Sequence, residues 1–273
     1  MAQAYFRRTI TLLLTALGAI LPAYLVFAPI TASALDLSVQ PRINTGAMYY
    51  KLDVEDTFAV DDTMPFVGGG ATAFIDRFYV DLYAQGAFSG NDDLQQIQGT
   101  TLSRAVTIDW DRAEYSASVG YSVTDNFSVF AGYRRSDMEF DLLDGEFFDY
   151  ENDGPFVGAT YGLPVKINEW LDGTLAVNAA VARFDGEITF APETQAPDVT
   201  GDTVGFTGGV TWIGNLLEGT GSGFFANGLN YTFGVDGYSY DFDQDNVPEG
   251  VSGNEISETV VRGSVGLSVP FNL

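Results

Sequence analysis

The stretch YSASVGYSVTDNFSVFAGYR, from Tyr115 to Arg134, contains two runs in which every second residue is apolar. The residues between the apolar ones are mostly Ser and Gly, and Thr124-Asp125-Asn126 separates the two runs. Because short polar residues of this kind tolerate tight turns, the stretch predicts an antiparallel hairpin with one apolar face. A soluble sheet would carry longer charged residues on its other face. We therefore interpret the apolar face as facing lipid and the Ser/Gly face as lining an interior.

The composition agrees with this interpretation. The chain has 273 residues, of which 46% are hydrophobic and 14% aromatic, which is too apolar for a disordered protein. Its mean hydropathy of +0.06 argues against a bundle of transmembrane helices, whereas strands with one polar face hide their membrane character from such averages.

The first 34 residues predict a separate segment. Arg7 and Arg8 precede an apolar run, and Ala32-Ser33-Ala34 supplies the small residues that a signal peptidase requires. We interpret residues 1–34 as a cleaved secretory signal peptide and residues 35–273 as the mature domain. The alternative is a permanent transmembrane helix, which Pro22 within the run and the small residues after it disfavour.

The same alternation recurs along the mature chain and predicts ten strands, with eight as the alternative count. The predicted cores of these strands are residues 37–50, 67–75, 78–86, 115–122, 127–134, 157–163, 175–182, 204–212, 229–236 and 261–273. Connections after the even-numbered strands are shorter, and those after the odd-numbered strands are long and polar. Strands of about 9 to 11 residues suit a tilted crossing of a bilayer, and only a closed barrel crosses it without unpaired backbone groups. A secreted β-sandwich also shows alternation, but it need not alternate its loop lengths.

Acidic residues dominate the charge of the chain. Without the signal peptide there are 10 Lys and Arg residues against 37 Asp and Glu, a net charge of −27, which excludes nucleic-acid binding. The acids concentrate in residues 53–62, 137–153 and 241–258, and we predict that these segments are acidic loops. Asp241, Asp243 and Asp245 have the spacing that begins a calcium loop. Position six of that pattern is Asn246 and position twelve is Ser252, so no EF-hand and no metal site is predicted.

Taken together, the signal peptide, the hairpin series and the final alternating strand resemble the small outer-membrane β-barrel proteins of Gram-negative bacteria. The resemblance implies an all-β fold, a transmembrane antiparallel up-and-down barrel, located in the cell outer membrane. It also implies outer-membrane lipid, lipopolysaccharide and the barrel-assembly machinery as partners. The acidic loops themselves suggest weak binding of divalent cations, which could bridge them to lipopolysaccharide phosphates. Leu273 ends the chain where the family usually has an aromatic residue, and Phe271 lies two residues earlier.

Charged residues also fall on the predicted interior face. We predict a lumen charge network in which four arginines face three acids: Arg42, Arg112, Arg134 and Arg262 against Asp81, Glu114 and Asp236. Unpaired buried charges are costly, so such groups tend to pair and close a narrow lumen. Because strands one and ten are neighbours in a closed barrel, we further suggest that Arg42 and Arg262 share a carboxylate.

Three classes of function follow from these features. Catalysis is disfavoured because the sequence contains no His and no Cys, the commonest general base and the strongest nucleophile. We predict a non-enzymatic protein without a cofactor, with a structural or loop-mediated role at the cell surface. A narrow, porin-like passive channel for small solutes is the alternative, although a barrel of about ten strands is closer in size to barrels filled by side chains than to porins.

Overall fold

A computed structural model describes residues 37–54, 58–97, 100–142, 145–166, 172–190, 199–217, 226–244 and 255–273. Within them, the chain forms strands and the turns that join them. The signal peptide predicted at residues 1–34 lies outside the described residues. No helix among the described residues has the length and apolar character needed to span a bilayer.

The strands form one antiparallel sheet that follows the order of the sequence. They are β1 (Leu37–Val54), β2 (Phe58–Ile75), β3 (Phe78–Ile97), β4 (Thr100–Ser122), β5 (Phe127–Leu142), β6 (Gly145–Lys166), β7 (Asp172–Phe190), β8 (Val199–Leu217), β9 (Leu229–Gln244), β10 (Glu255–Ser268) and β11 (Phe271–Asn272). β1 pairs with β10 from Arg42↔Ser268 to Val54↔Ile256, which closes the barrel. β11 is a two-residue continuation of the last strand after Pro270 and pairs with the start of β1. The predicted ten-stranded barrel is confirmed.

Two of the turns show why the chain reverses where it does. Asp76 and Arg77 join β2 to β3, and Asp76 has a φ of 54°, a left-handed conformation that Asp tolerates better than most residues. Between β4 and β5, the Thr124 hydroxyl accepts hydrogen bonds from the backbone N–H groups of Asn126 and Phe127 at 3.3 and 3.0 Å. We call this side of the barrel the short-turn end. Residues 218–228 connect β8 to β9 at the same end. The predicted strands left residues 213–228 between them, so β8 extends further than the sequence predicted.

An apolar belt surrounds the part of the barrel next to the short-turn end. Large hydrophobic side chains on the outer face remain exposed there, among them Val119, Val157, Phe206, Phe233 and Val235. Exposure of so many apolar side chains over a closed sheet is the signature of a surface that contacts lipid.

Beyond the belt, the faces of the strands exchange their polarity. In β5 the outer face changes from Val129 and Ala131 to acids such as Asp137 and Glu139, while the inner face changes from Gly132 to Met138 and Phe140. The same exchange occurs in β1, β6 and β7, so the barrel continues past the lipid with a polar outside and an apolar inside. We call this part the extension.

The extension corrects the prediction of acidic loops. Most of residues 53–62 and 137–153 lies within β1, β2, β5 and β6, and residues 241–244 and 255–258 lie within β9 and β10. The period-two alternation continues through these segments, and their backbone groups pair with neighbouring strands. Most of the acids whose side chains are described therefore lie on the outer face of strands, because apolar side chains fill most of the inner face. Glu258 is an exception and is fully buried.

The hydrophobic core of the protein fills the interior of the extension. Its largest fully buried side chains are Tyr50, Tyr150, Tyr240, Phe140, Phe184, Phe242, Met48, Leu52, Met64 and Glu258. The rings of Phe184 and Tyr240, and those of Tyr150 and Phe242, pack edge to face with centroids 4.8 and 5.8 Å apart. The core thus fills the interior of the extension, through which any channel across the barrel would have to pass.

Candidate functional site

The structure places all seven predicted lumen charges on the interior face of the barrel, at the boundary between the belt and the core. Period-two alternation brings them there: each occupies an inward-facing position of its strand, beside small residues in most strands and beside Tyr79 and Tyr83 in β3. The side chains then meet across the barrel as well as between adjacent strands, since Arg262 of β10 reaches Glu114 of β4.

Glu114 is at the centre of this network. Its carboxylate accepts hydrogen bonds from Arg134 Nη2 at 2.8 Å and from Arg262 Nη1 at 3.0 Å, and Arg112 Nε lies 3.8 Å away. Gln85 Nε2 donates a further bond of 3.3 Å. A carboxylate that is 5% exposed is thus surrounded by three guanidinium groups, which compensates its removal from water.

A second buried acid, Glu258, was missed by the sequence analysis. Arg112 Nη1 lies 2.8 Å from Glu258 Oε1, and Tyr150 and Asn152 donate to Oε2 at 3.1 and 2.8 Å. The signal was available in the sequence, because Glu258, Val260 and Arg262 share one face of a strand. The many acids of residues 241–258 predict a loop and conceal this alternation.

Aromatic rings hold the arginines in place. The Arg134 guanidinium lies 4.0 Å from the centroid of the Tyr238 ring, and that of Arg112 lies 5.3 Å from the Tyr50 ring. Arg112 Nη2 also donates to the Tyr238 hydroxyl. In a desolvated site such cation–π contacts stabilise the charge further, so core and network form one packed unit.

The remaining charges pair nearer the short-turn end. Arg42 forms a two-pronged ion pair with Asp81, at 2.6 and 2.8 Å, and Arg262 Nε donates to Asp236 at 2.8 Å. The suggestion that Arg42 and Arg262 share a carboxylate is therefore wrong. The register explains this: Arg262 is opposite Met48 and Arg42 is opposite Ser268, so the two arginines lie at different heights in the barrel.

Side-chain exposure falls along the barrel axis from one charge pair to the next. It is 30% and 22% for Arg42 and Asp81, 5% for Glu114 and zero for Glu258. Water that enters at the short-turn end therefore reaches the first pair and is excluded from the last. Asp81, Glu114, Asp236 and Glu258 each pair with an arginine. The arrangement suits a closed plug better than a binding site with a free charge.

Two of the three residues with calcium-loop spacing lie in a strand. Asp241 and Asp243 belong to β9, and Asp245 lies outside the described residues. No group of three or more potential metal-ligating side chains occurs in the part of the chain that the structure describes.

On the outer face of the extension, acids from neighbouring strands lie opposite one another. We call this surface the acidic band; its cross-strand pairs are Asp109–Asp141, Asp111–Glu139, Glu139–Asp149, Asp137–Glu151, Glu151–Glu187, Asp153–Asp185 and Asp185–Asp202. Arg135 and Arg183 offset part of this charge through ion pairs with Glu151 and Asp202, at 2.8 and 2.7 Å. Burial, together with Glu139 and Asp141, raises the pKa of Asp111 to about 6. Like charges placed in this way destabilise a sheet.

This shift predicts a pH dependence of stability. Between about pH 4 and 6, Asp111 is still protonated in the folded barrel but ionised in the unfolded chain, so the free energy of unfolding falls as the pH rises. We expect the melting temperature of the wild-type protein to decrease over this interval. The decrease should be smaller in Asp111→Asn, which mimics the protonated acid. Asp125→Asn, in the β4–β5 turn, is the control, and equal pH profiles for all three proteins would contradict the prediction.

Comparisons with known proteins agree with the barrel fold. No protein-family model and no curated protein sequence matches the chain. Among solved structures, it is similar to the outer membrane protease OmpT from Escherichia coli, with a TM-score of 0.59 and 10% identity, covering 88% of this chain and 99% of that one. The translocator domain of the autotransporter NalP from Neisseria meningitidis gives a TM-score of 0.46 at 11% identity, covering 99% and 96%.

At such low identity the likeness to OmpT concerns the fold alone, and the similarity to NalP is too low to carry an argument. The predicted location in the outer membrane agrees with this fold and with the apolar belt. By its closed antiparallel sheet, its lipid-facing belt and its likeness to OmpT, the chain has the fold of a ten-stranded outer-membrane β-barrel.

Proposed function

We propose that the protein is a non-conducting, non-enzymatic barrel of the outer membrane, and that its extension carries a role in contacts at the cell surface. The observation that supports the first part is the filled interior. Network and core together bury Arg112, Glu114 and Glu258 almost completely, and buried aromatic rings continue the packing into the extension.

The extension supports the second part of the proposal. In bacterial barrels the short turns face the periplasm and the longer segments face outward, so the extension faces the cell exterior. It consists of paired strands over a hydrophobic core, and it therefore presents a stable surface.

The acidic band suggests what this surface contacts. The band begins next to the apolar belt. Along the outer face of β6, Val157 and Pro155 of the belt are followed towards the extension by Asp153. This is the level of the lipid headgroups, where the phosphates of lipopolysaccharide are negatively charged like the carboxylates of the band. We propose that divalent cations link these phosphates to the acidic band by diffuse electrostatic attraction.

This contact predicts a calcium effect on stability. In micelles that contain lipopolysaccharide, added Ca²⁺ should raise the melting temperature of the wild-type barrel, and a chelator should reverse the increase. A variant with Asp149→Asn, Glu151→Gln and Glu187→Gln should respond less, because it lacks three charges of the band. The same Ca²⁺ response in both proteins would argue against the proposed contact.

Absence of catalysis is part of the proposal, although the similar protein OmpT is a protease. The sequence has neither His nor Cys, the commonest general base and the strongest nucleophile, and carboxylates are the most numerous acid–base groups that it offers. One outer pair is Asp185 and Asp202, in which a hydrogen bond between the two carboxyl groups raises the pKa of Asp185. The pair lies exposed on the outer face of the sheet, where no cleft would orient a substrate or exclude water from it.

Conductance in planar bilayers distinguishes the closed barrel from a narrow channel. We expect the purified wild-type protein to insert without stable current steps in concentrated KCl, because the core and the charge network fill the interior of the barrel among the described residues. Regular steps that scale with the salt concentration would contradict the proposal and favour the channel. The control is a variant with Tyr238→Ala and Tyr240→Ala, which removes two stacked rings from the plug and should show steps if these rings close the lumen.

A further inference from the structure

An apolar groove crosses the outer face of the barrel where β9, β10 and β1 meet. It has a volume of about 440 Å³. Tyr231 and Phe233 of β9 line one side, Ile43 of β1 and Val67 of β2 line the other, and Val265 and Leu267 of β10 lie between them. We propose that this groove is a binding site for one acyl chain of a phospholipid.

The surroundings of the groove determine the chemistry of its occupant. Ile43, Phe233 and Val265 are 58%, 54% and 46% exposed, and all three belong to the apolar belt. No charged side chain lines the groove. In the membrane the space is therefore filled by hydrocarbon and not by water.

The shape of the groove favours a single chain. Association within a membrane depends on van der Waals packing, because lipid tails and apolar side chains are equally hydrophobic. An acyl chain that lies between the two walls of the groove contacts protein on three sides. An acyl chain on the flat surface elsewhere in the belt contacts protein on one side only. A second protein copy would need a matching surface of about 800 Å² on each partner, which a narrow groove does not offer.

The polar end of the lipid is indicated by the aromatic residues at the short-turn side. Trp212 Nε1 donates a hydrogen bond of 3.2 Å to the Tyr231 hydroxyl. Trp and Tyr side chains of this kind lie at membrane–water interfaces. The Tyr231 hydroxyl accepts this bond and can donate its own proton to an ester or phosphate oxygen of the lipid. The acyl chain then runs from Tyr231 towards Val265, which assigns the lipid to the leaflet at the short-turn end.

Native mass spectrometry in detergent, with palmitoyl-oleoyl phosphatidylethanolamine added, tests the site. The wild-type protein should retain one phospholipid molecule per protein molecule. Val265→Trp fills the groove and should lower this occupancy about tenfold, a change that the loss of close contacts along one chain can produce. Val210→Trp, on the outer face of β8, is the matched control, since Val210 is 44% exposed and does not line the groove.

The outcomes are distinct. Phe233→Ala removes one wall without adding bulk and should also lower the occupancy, which keeps the test valid if Val265→Trp does not fold. Equal lipid retention in Val265→Trp and Val210→Trp, or none in the wild type, would overturn the proposal. A wild-type dimer that disappears in Val265→Trp would overturn it as well, because the groove would then belong to an interface between two copies.

Discussion

The Glu114→Gln protein is expected to lose about 3–5 kcal/mol of unfolding free energy, because removing one partner of a buried ion pair leaves uncompensated charge. Gln has nearly the same size as Glu, so packing is preserved and only the charge is changed. Arg134 and Arg262 would each lose a close charged contact, at 2.8 and 3.0 Å. Arg134 is 7% exposed, so little water can reach it to replace the lost contact with the carboxylate. Urea-induced unfolding in detergent micelles measures the loss.

Glu151→Gln is the matched control for this experiment. It removes the same charge from an ion pair with Arg135, but both side chains of that pair are about half exposed. Such a pair contributes only about 0–1 kcal/mol. Adding Arg134→Met to Glu114→Gln should recover part of the stability, since it removes one unpaired cation. Equal losses in Glu114→Gln and Glu151→Gln would show that the interior network does not stabilise the barrel.

Val157→Arg is expected to destabilise the folded barrel in lipid by about 2–4 kcal/mol, the cost of a cation on the lipid face near the bilayer midplane. Val157 is 61% exposed on the outer face of β6, between Ala131 of β5 and Val181 of β7. An arginine at this position has no interior partner. Folding into phospholipid vesicles, followed by the band shift between folded and unfolded protein on gels, measures the effect.

Thr160→Arg provides the comparison on the same strand. Thr160 faces the interior near the short-turn end, opposite Ser128 and Asn178, where water reaches the lumen. A cation can remain hydrated there, so we expect a smaller loss than for Val157→Arg. If both variants insert equally well, the assignment of the inner and outer faces is wrong.

The hairpin between Tyr115 and Arg134 shows which parts of the fold are local. Both strands and the turn at residues 123–126 agree with the sequence interpretation, because alternation and short polar turn residues act over a few positions. The segment after Arg134 shows where interpretation failed. Its alternation continues through Asp137, Met138, Glu139 and Phe140, but the acids suggested a loop. Acidic composition favours a loop, but the period-two alternation determines which face of a strand each side chain occupies.

The sequence by itself determined the strand order, the lipid-facing belt and the interior position of the seven predicted charges, since each depends on period-two alternation within one strand. Only the tertiary structure decided which charges meet. Arg112 pairs with Glu258 and Arg262 reaches Glu114 because barrel closure places residues from distant strands at one height. The height of a residue in the barrel depends on the register between β1 and β10 and on the tilt of every strand between them. These heights are defined only when the sheet closes, so no local sequence pattern encodes them.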